Sequence, residues 1–270
     1  MKTKIFKIIR IIAILVCLGI IAYESYKIYD DQKEYQVAKN EYEELENIAV
    51  SYPLVEDEAA ITDYPLLQID FDRLKSINDD VVAWIYFPAL DISYPVVHEN
   101  EIDEYLYVTF DGTSNKSGSI FEDVLSDPEF RGMHDIVFGH NMKNGTMFGS
   151  LDKYRDQSYE KNHSIIKFSS LYEDREYEIC AVFLSQVYKK SETDVFKYYQ
   201  FFNADTEEEF DDFYSNIKKM SMYDTGVDAE YGDEFITLSV CAYHVDNGRL
   251  VVVGKRINLL HSLKLDNFAP

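Results

Sequence analysis

Two apolar segments near the C-terminus, separated by a short polar loop, constrain this chain more than any other feature. The first is Phe235–Cys241, and the second, residues 249–257, contains four consecutive apolar residues at positions 250–253. A short apolar run bounded by polar residues is typical of a strand buried in a sheet. We therefore predict two neighbouring strands, with Cys241 at the end of one and Arg249 at the start of the next.

The rest of the chain predicts a mainly β domain with added helices, beginning near residue 65. The 15% aromatic content suits a β-rich core. The clearest helix is expected at residues 205–220, where five apolar residues share one face. A shorter helix is expected at residues 69–77 and a turn-rich loop at 111–119. Further strands are predicted at residues 81–87, 94–97, 135–138, 164–168 and 176–187.

The N-terminus combines a basic end with an apolar run. Four basic residues and no acid fall in the first ten positions, and residues 11–23 carry no charge. This run is short for a spanning helix and would suit a signal peptide. However, no small-x-small cleavage site follows it, and apolar residues before Arg10 lengthen it to about 19 if the basic side chains snorkel. We therefore predict an uncleaved anchor at residues 1–26, with a cleaved signal as the alternative.

Either alternative exports the remaining chain. The positive-inside rule keeps the basic end in the cytoplasm, which predicts a single-pass membrane protein with its main domain outside. Residues 27–64 are predicted to form an extracytoplasmic helical stalk and linker, because Tyr35, Ala38, Tyr42 and Leu45 recur at helical spacing. The linker is expected around Pro53. Residues 65–270 are predicted to form the main domain.

Charge and cysteine content exclude two broad classes of protein. The 270-residue chain carries 49 acidic and 26 basic residues, a net charge of −23. Such a surface repels phosphate backbones, so we expect no nucleic-acid binding. The three cysteines are too few for a disulfide framework. Cys17 lies in the apolar run, so the one disulfide that the sequence leaves possible is between Cys180 and Cys241.

Cys241 is the candidate nucleophile. It ends a predicted strand and precedes a polar loop, so its backbone is held while its side chain can reach a substrate. A thiolate nucleophile needs this exposure together with a neighbouring base or cation. A lone cysteine is more often a buried structural residue. Its position alone therefore does not decide between the two roles.

His140 and Arg249 are candidate partners of that thiol. His140 follows a predicted strand and could act as a general acid or base. Arg249 lies eight residues after Cys241 and could hold an oxyanion or a substrate carbonyl. Competitors are His244, three residues from Cys241, and Arg256, on the same strand as Arg249. The residues alone do not separate His140 from the other histidines, at positions 98, 134, 163, 244 and 261.

Other chemistries find little support. The sequence contains no CxxC, no HExxH, no phosphate-cradling glycine loop and no GxSxG elbow. It also lacks an oxygen-ligand loop with EF-hand spacing. Runs of acidic residues in so acidic a chain are usually solvated faces. We therefore expect no metal and no cofactor.

Three ordered motifs resemble those of the class B sortases. Residues 237–241 (TLSVC) and 247–255 (NGRLVVVGK) resemble the family's TLxTC strand and the arginine on the next strand. Residues 138–148 (FGHNMKNGTMF) are similar to the class B pattern YGHNMK.G.MF. Residues 81–97 and 117–121 (SGSIF) also resemble class B sequence, so the resemblance covers about residues 65–260.

The resemblance implies an eight-stranded sortase-type β-barrel, with an N-terminal helix and a long helix before the cysteine strand. It implies Cys241 as nucleophile, His140 as general acid and base, and Arg249 as the oxyanion-holding or substrate-orienting group. It also implies four substrate-binding residues, which are Ser239, Phe138, Leu106 and Asn141.

The implied activity is that of a cysteine transpeptidase. Such an enzyme cleaves a C-terminal sorting motif of the LPxTG or NPxTN type in exported proteins. It then joins the new carboxyl, through a thioacyl-enzyme, to an amine of a lipid-linked peptidoglycan precursor. Alternatives are a pilin polymerase that uses a lysine acceptor and a non-catalytic, membrane-tethered binding domain. A papain-like peptidase is disfavoured because Cys241 follows His140 in the chain.

One position departs from the family pattern. Val240 stands where the family has threonine before the cysteine, so a hydroxyl is lost while the β-branched shape is kept. We expect this change to alter rate or specificity rather than to abolish activity.

Overall fold

The computed structural model describes residues 2–52 and 67–257, with side chains described from residue 6 onward. The predicted linker around Pro53 and the histidine at position 261 lie outside these residues. Helices and strands follow one another in the order α1 (Lys2–Ala49), β1 (Val50–Ser51), β2 (Gln68–Ile69), α2 (Phe71–Lys75), β3 (Val81–Phe87), β4 (Ile92–His98), β5 (Ile120–Glu122), β6 (His134–Gly139), α3 (Gln157–Glu160), β7 (Ile165–Ser170), β8 (Asp174–Gln186), α4 (Glu207–Met220), β9 (Phe235–Cys241) and β10 (Gly248–Arg256).

Eight of these strands form a closed barrel, in the order β10-β8-β7-β3-β4-β5-β6-β9. Two pairs, β4 with β5 and β6 with β9, are parallel, and the other pairs in the barrel are antiparallel. Closure leaves no exposed sheet edge among these strands. The predicted mainly β fold with an eight-stranded barrel is confirmed.

The barrel interior is filled by alternate residues of the strands, because successive side chains in a strand point to opposite faces. On β9, Ile236, Leu238 and Val240 belong to the main apolar cluster, together with Val252 of β10. The intervening residues of β9 face outward. On both faces of the strand that ends at the candidate nucleophile, the side chains of the first six residues are buried.

Helix α4 covers part of the outer surface of the barrel before the chain enters β9. Phe210, Phe213 and Ile217 are buried in a second apolar cluster with Val251 of β10. Thr206 caps the helix, because its side chain accepts a hydrogen bond from the backbone N–H of Glu209 at 3.3 Å. The predicted apolar face of the helix at 205–220 is confirmed, although the helix begins at Glu207.

Helix α1 is continuous over 48 residues. Its most apolar 18-residue window has a mean hydropathy of 2.3 and no buried residue, which is sufficient in length and composition to cross a bilayer. Near its C-terminal end, in contrast, Ala38, Tyr42, Leu45 and Ala49 are buried in the main cluster of the barrel. The end of the predicted stalk therefore forms part of the folded body, and the domain boundaries themselves stay predictions.

Two short elements differ from the sequence-based expectation. The helix predicted at residues 69–77 is limited to Phe71–Lys75, because Ile69 pairs in β2 and Asp70 caps the helix by accepting from Arg73 N at 3.0 Å. Strand β5 was not predicted. It has three residues and pairs with β4 on one side and β6 on the other. It is too short to show a periodic pattern, yet it closes the barrel.

Candidate active site

Cys241 and Arg249 face each other at the end of the β9–β10 hairpin. They are paired residues in the antiparallel register, so their side chains project from the same face of the sheet. The thiol is partly exposed. The Arg249 guanidinium donates through Nη1 to the carbonyls of Gly248, at 3.0 Å, and Asn247, at 3.3 Å. Within the described residues no carboxylate pairs with Arg249, so its charge is available to a substrate.

His140 approaches the same place from the neighbouring strand. Strands β6 and β9 run parallel, and Gly139 pairs with Val240, so His140 and Cys241 are the next residues along their strands. His140 Nε2 lies 2.5 Å from the carbonyl oxygen of Leu106. Because a carbonyl only accepts, Nε2 carries the hydrogen and the lone pair of the neutral ring is on Nδ1. The Tyr107 ring lies 5.6 Å from the imidazole, between centroids.

A cavity of about 710 Å³ contains all three side chains. Its apolar lining includes Leu106, Phe138 and Phe121, and the rings of Phe138 and Phe121 lie 5.5 Å apart. Charged side chains of both signs also line it, among them Lys197 and Asp123. A concave site with an apolar wall and few convergent polar groups is typical of a binding site for an extended peptide or small ligand.

The predicted substrate-binding residues differ in what they contact. Ser239 and Phe138 line the cavity, as does Leu106. Ser239 is buried and its hydroxyl lies 2.8 Å from the hydroxyl of Tyr198. Asn141 is instead used internally, because its Nδ2 donates to the carbonyl of Cys241 at 2.7 Å. That bond fixes the backbone at the nucleophile, while a substrate contact for Asn141 stays a prediction.

Tyr198 is a site residue that the sequence analysis missed. It lies between β8 and α4 in a short 3₁₀ helix, is 1% exposed, and lines the cavity beside Ser239. Burial raises the pKa of its hydroxyl to about 12, so the group is a neutral hydrogen-bonding partner. Nothing in the local sequence distinguishes it from the tyrosines around it, since its position depends on how the long connection folds back.

The competing candidates lie elsewhere. His244 is exposed in the hairpin loop and does not line the cavity. Arg256, at the far end of β10, is held by Glu234 and Glu173, each at 2.7 Å. Cys180 is buried, and burial raises the pKa of its thiol to about 12. The three cysteines are free thiols. Of the described candidates, Cys241, His140 and Arg249 are the three that share the cavity.

Val240 points away from this cavity. It is 2% exposed and belongs to the apolar cluster inside the barrel, on the opposite face of β9 from Cys241. A hydroxyl at this position would enter the core instead of reaching the thiol. The structure therefore shows no contact through which Val240 could change rate or specificity in the way expected from the sequence.

No metal centre is evident in this part of the chain. Within residues 2–52 and 67–257, no group of three or more His, Cys, Asp or Glu side chains has an arrangement that could hold a metal ion.

Comparisons with known proteins show the family to which the chain belongs. The family model of the sortase domain matches residues 85–257. The chain is 32% identical to sortase B of Listeria monocytogenes over 68% of its own length and 72% of that protein. It is 29% identical to sortase B of Staphylococcus aureus over 70% of its length and 75% of that protein.

Solved structures give the same result. The fold superposes on the crystal structure of sortase B from Bacillus anthracis in complex with AAEK1 with a TM-score of 0.69 and 27% identity, covering 84% of this chain and 99% of that one. The chain belongs to the sortase family, and its relatives and structural neighbours assign it to class B. Members of this family are cysteine transpeptidases, so the chain is an enzyme of that type.

Proposed function

We propose that this chain is a membrane-anchored class B sortase in which Cys241, His140 and Arg249 carry out transpeptidation. Its substrates are exported proteins with a C-terminal sorting motif of the LPxTG or NPxTN type. The observation that carries the proposal is the direct pairing of Cys241 with Arg249 in the β9–β10 register, with His140 at the end of the adjacent strand. The surrounding cavity has room for an extended peptide.

The first step forms a thioacyl-enzyme. His140 Nδ1 takes the proton of the Cys241 thiol, and the resulting thiolate attacks the carbonyl carbon of the threonine in the sorting motif, so that the carbonyl becomes a tetrahedral oxyanion. Arg249 stabilises this negative charge, since its guanidinium is fixed by two backbone carbonyls before substrate arrives. His140 then protonates the departing amide nitrogen as the C–N bond breaks. The proton is transferred from Nδ1, because Nε2 already donates a hydrogen bond to the Leu106 carbonyl.

The second step forms the new amide. An amine acceptor, which we propose to be an amine of a lipid-linked peptidoglycan precursor, attacks the thioester carbonyl. His140 accepts the amine proton, the tetrahedral intermediate collapses, and the C–S bond breaks to regenerate the Cys241 thiolate. The exported protein then becomes joined to the cell-wall precursor. This chemistry requires no redox step.

Anchoring through α1 fits this reaction. The N-terminal apolar window of α1 meets the requirements for a spanning helix, and the basic N-terminal end favours an orientation with residues 1–26 entering from the cytoplasm. The catalytic domain would then face outward in a single-pass arrangement. Tethering places the enzyme at the same membrane as the secreted proteins and the lipid-linked acceptors, which raises the effective concentration at which they meet.

Incubation of the full chain, purified in detergent micelles, with peptides of the LPxTG and NPxTN types tests the proposal. Each peptide is offered with no acceptor, with a short amine-terminated peptide and with a lysine-bearing peptide. Mass spectrometry should detect a new amide for the wild-type chain, and none for Cys241→Ala, His140→Ala or Arg249→Ala. A preference for the lysine-bearing acceptor would favour pilin polymerisation over cell-wall anchoring.

Matched control variants separate chemistry from folding. Cys180→Ala, His244→Ala and Arg256→Lys change the same residue types outside the cavity and should retain turnover. Peptide cleavage that persists in Cys241→Ala would contradict the proposed nucleophile. A wild-type chain that binds these peptides without cleaving them would instead support the membrane-tethered binding domain.

A further inference from the structure

Helix α1 is hydrogen-bonded to the β4–β5 loop, which comprises residues 99–119. The Tyr42 hydroxyl donates to the carbonyl of Gly118 at 2.7 Å. The carbonyl of Glu34 accepts from the Asn115 side chain at 3.0 Å, and the Glu34 carboxylate accepts from the backbone N–H of Lys116 at 2.8 Å. The last part of the helix therefore contacts the returning arm of the loop at several points.

The outgoing arm of the same loop holds His140. Its Leu106 carbonyl accepts the His140 Nε2 hydrogen, and the Tyr107 ring lies beside the imidazole. The position of this arm therefore determines which ring nitrogen carries the hydrogen. If the Leu106 carbonyl moved away, the imidazole would lose the partner that selects the Nε2–H tautomer.

Gly118 joins the two arms. It has a φ of +55°, and an added Cβ would overlap the carbonyl oxygen of Leu106 and come within 2.8 Å of that of Tyr105. Only glycine allows so close an approach in this conformation. Next to it, the backbone N–H of Ser119 donates to the Tyr105 carbonyl at 3.1 Å. The backbone that Tyr42 holds is thus in direct contact with the carbonyl that His140 uses.

Among the contacts from α1, that of Tyr42 is the one expected to matter most. Tyr42 is 4% exposed and packs edge-on against Tyr94, with ring centroids 5.3 Å apart. A buried hydrogen bond between fixed groups contributes more than exposed pairs do. The ion pairs of Lys116 with Asp31 and Glu34 involve exposed or partly exposed side chains, and such pairs contribute little.

We propose that Tyr42 is a positioning residue for the catalytic histidine. Acting through Gly118 and the Leu106 carbonyl, it keeps His140 in the tautomer that presents Nδ1 for proton transfer. The N-terminal helix would thereby contribute to the chemistry as well as to anchoring. This inference rests on the acid–base role proposed above for His140.

The variant Tyr42→Phe in the full chain tests the inference, because it removes one hydroxyl and keeps the ring. We expect kcat for the best peptide and amine pair to fall about 3- to 10-fold with KM unchanged, the size expected for one buried hydrogen bond. In 15N-histidine NMR spectra, with His140 assigned from the His140→Gln variant, the His140 signals should shift from the Nε2–H pattern towards a mixture of tautomers.

Two control variants bracket this result. Tyr35→Phe removes a hydroxyl from the same helix. Among the described residues the Tyr35 hydroxyl makes no hydrogen bond to the β4–β5 loop, so this variant should leave kcat and the spectra unchanged. Lys116→Gln breaks only the exposed ion pairs and should change kcat less than 2-fold. A loss in Lys116→Gln as large as that in Tyr42→Phe would overturn the assignment of the effect to Tyr42.

The NMR measurement separates this inference from the proposed function. If Tyr42→Phe lowers the unfolding temperature but leaves kcat and the His140 signals as in wild type, Tyr42 is only structural and the inference is wrong. If the wild-type chain shows no turnover, the proposed function fails, yet the change in His140 tautomer still supports or contradicts the link from the helix to the histidine.

Discussion

The two ends of strand β6 carry histidines in opposite situations. His134, at the first residue, is 1% exposed and uses both ring nitrogens, with Nδ1 2.6 Å from the Phe201 carbonyl and Nε2 2.7 Å from the Thr237 hydroxyl. His140, just past the last residue, is partly exposed and uses one nitrogen, on the Leu106 carbonyl. A histidine with both nitrogens bonded inside the fold has none left for a substrate, and this distinction cannot be read from sequence.

Replacing each histidine by alanine tests this contrast most strongly. We expect His140→Ala to lower kcat/KM by about 10²- to 10⁴-fold, the usual contribution of a general acid or base, with little change in unfolding temperature. We expect His134→Ala to lose about 2–4 kcal/mol of stability, because two buried groups lose their partners. Activity per folded molecule should persist in His134→Ala. Kinetics and urea unfolding in parallel would show whether the two roles are separate.

The same contrast extends to the arginines at the two ends of β10. Arg249→Lys should lower kcat by about 10²- to 10³-fold, because an ammonium group does not reproduce the fixed guanidinium beside the thiol. Arg256→Lys weakens surface pairs with Glu234 and Glu173 and should cost about 1 kcal/mol or less of stability. Equal kinetic losses in the two variants would show that Arg249 acts through general charge and not through its position.

Acid should expose the structural role of His134. Burial lowers the pKa of this imidazole to about 4, from an ordinary value of 6.5. Between these values the unfolded chain binds a proton at this residue that the folded chain does not, so the contribution of His134 to stability falls as the pH decreases from 6.5 to 4, by about 3 kcal/mol in total. Urea unfolding should therefore show the stability of the wild-type chain falling by about 3 kcal/mol relative to that of His134→Gln across this range, because the slopes of all other groups are common to both chains. The exposed His244→Gln should leave the wild-type slope unchanged.

The next residue along β6 should show the opposite pH dependence. Asp135 faces the barrel interior, where burial raises the pKa of its carboxyl from 3.8 to about 8. Between pH 3.8 and about 8 the folded chain holds a proton that the unfolded chain has released, so this group's contribution to stability falls across that range by up to about 1.4 kcal/mol per pH unit and is lost above pH 8. Asp135→Asn should therefore be more stable than wild type at pH 8. Equal stability of the two chains there would contradict a buried, protonated Asp135.

Much of the fold follows from local sequence pattern. Strands were predicted at the positions of seven of the eight barrel strands, most clearly for the apolar runs of β3, β9 and β10, and the amphipathic pattern of α4 was predicted as well. Strand β5 was not predictable because three residues carry no period. For residues 38–49 of α1 the sequence predicted a helix with one apolar face. It did not show that this face packs against the barrel, because the covering surface is assembled from distant strands.

The site divides in the same way. The pairing of Cys241 with Arg249 follows from a hairpin that the sequence predicts, because both residues belong to strands joined by one loop. His140 was distinguished from other histidines only by resemblance to a family, since its proximity depends on the parallel pairing of β6 with β9. Tyr198 and the Leu106 carbonyl come from irregular connections, and one of them is a backbone atom that side-chain motifs do not encode.

If the apolar run of α1 spans a bilayer, as we propose, the unbroken course of the helix also sets the distance and direction of the Cys241 cavity relative to that bilayer. From the end of the apolar run at Tyr23 to Tyr42 the helix rises about 28 Å. With that run in the membrane, the cavity lies at a fixed height above the membrane surface and has a fixed orientation about the helix axis. One residue inserted near Tyr29 would rotate the barrel by about 100° about the helix axis. Seven inserted residues would nearly restore the original orientation and would raise the barrel by about 10 Å. In the proposed arrangement, the length of α1 would set the separation between the lipid surface and the candidate active site.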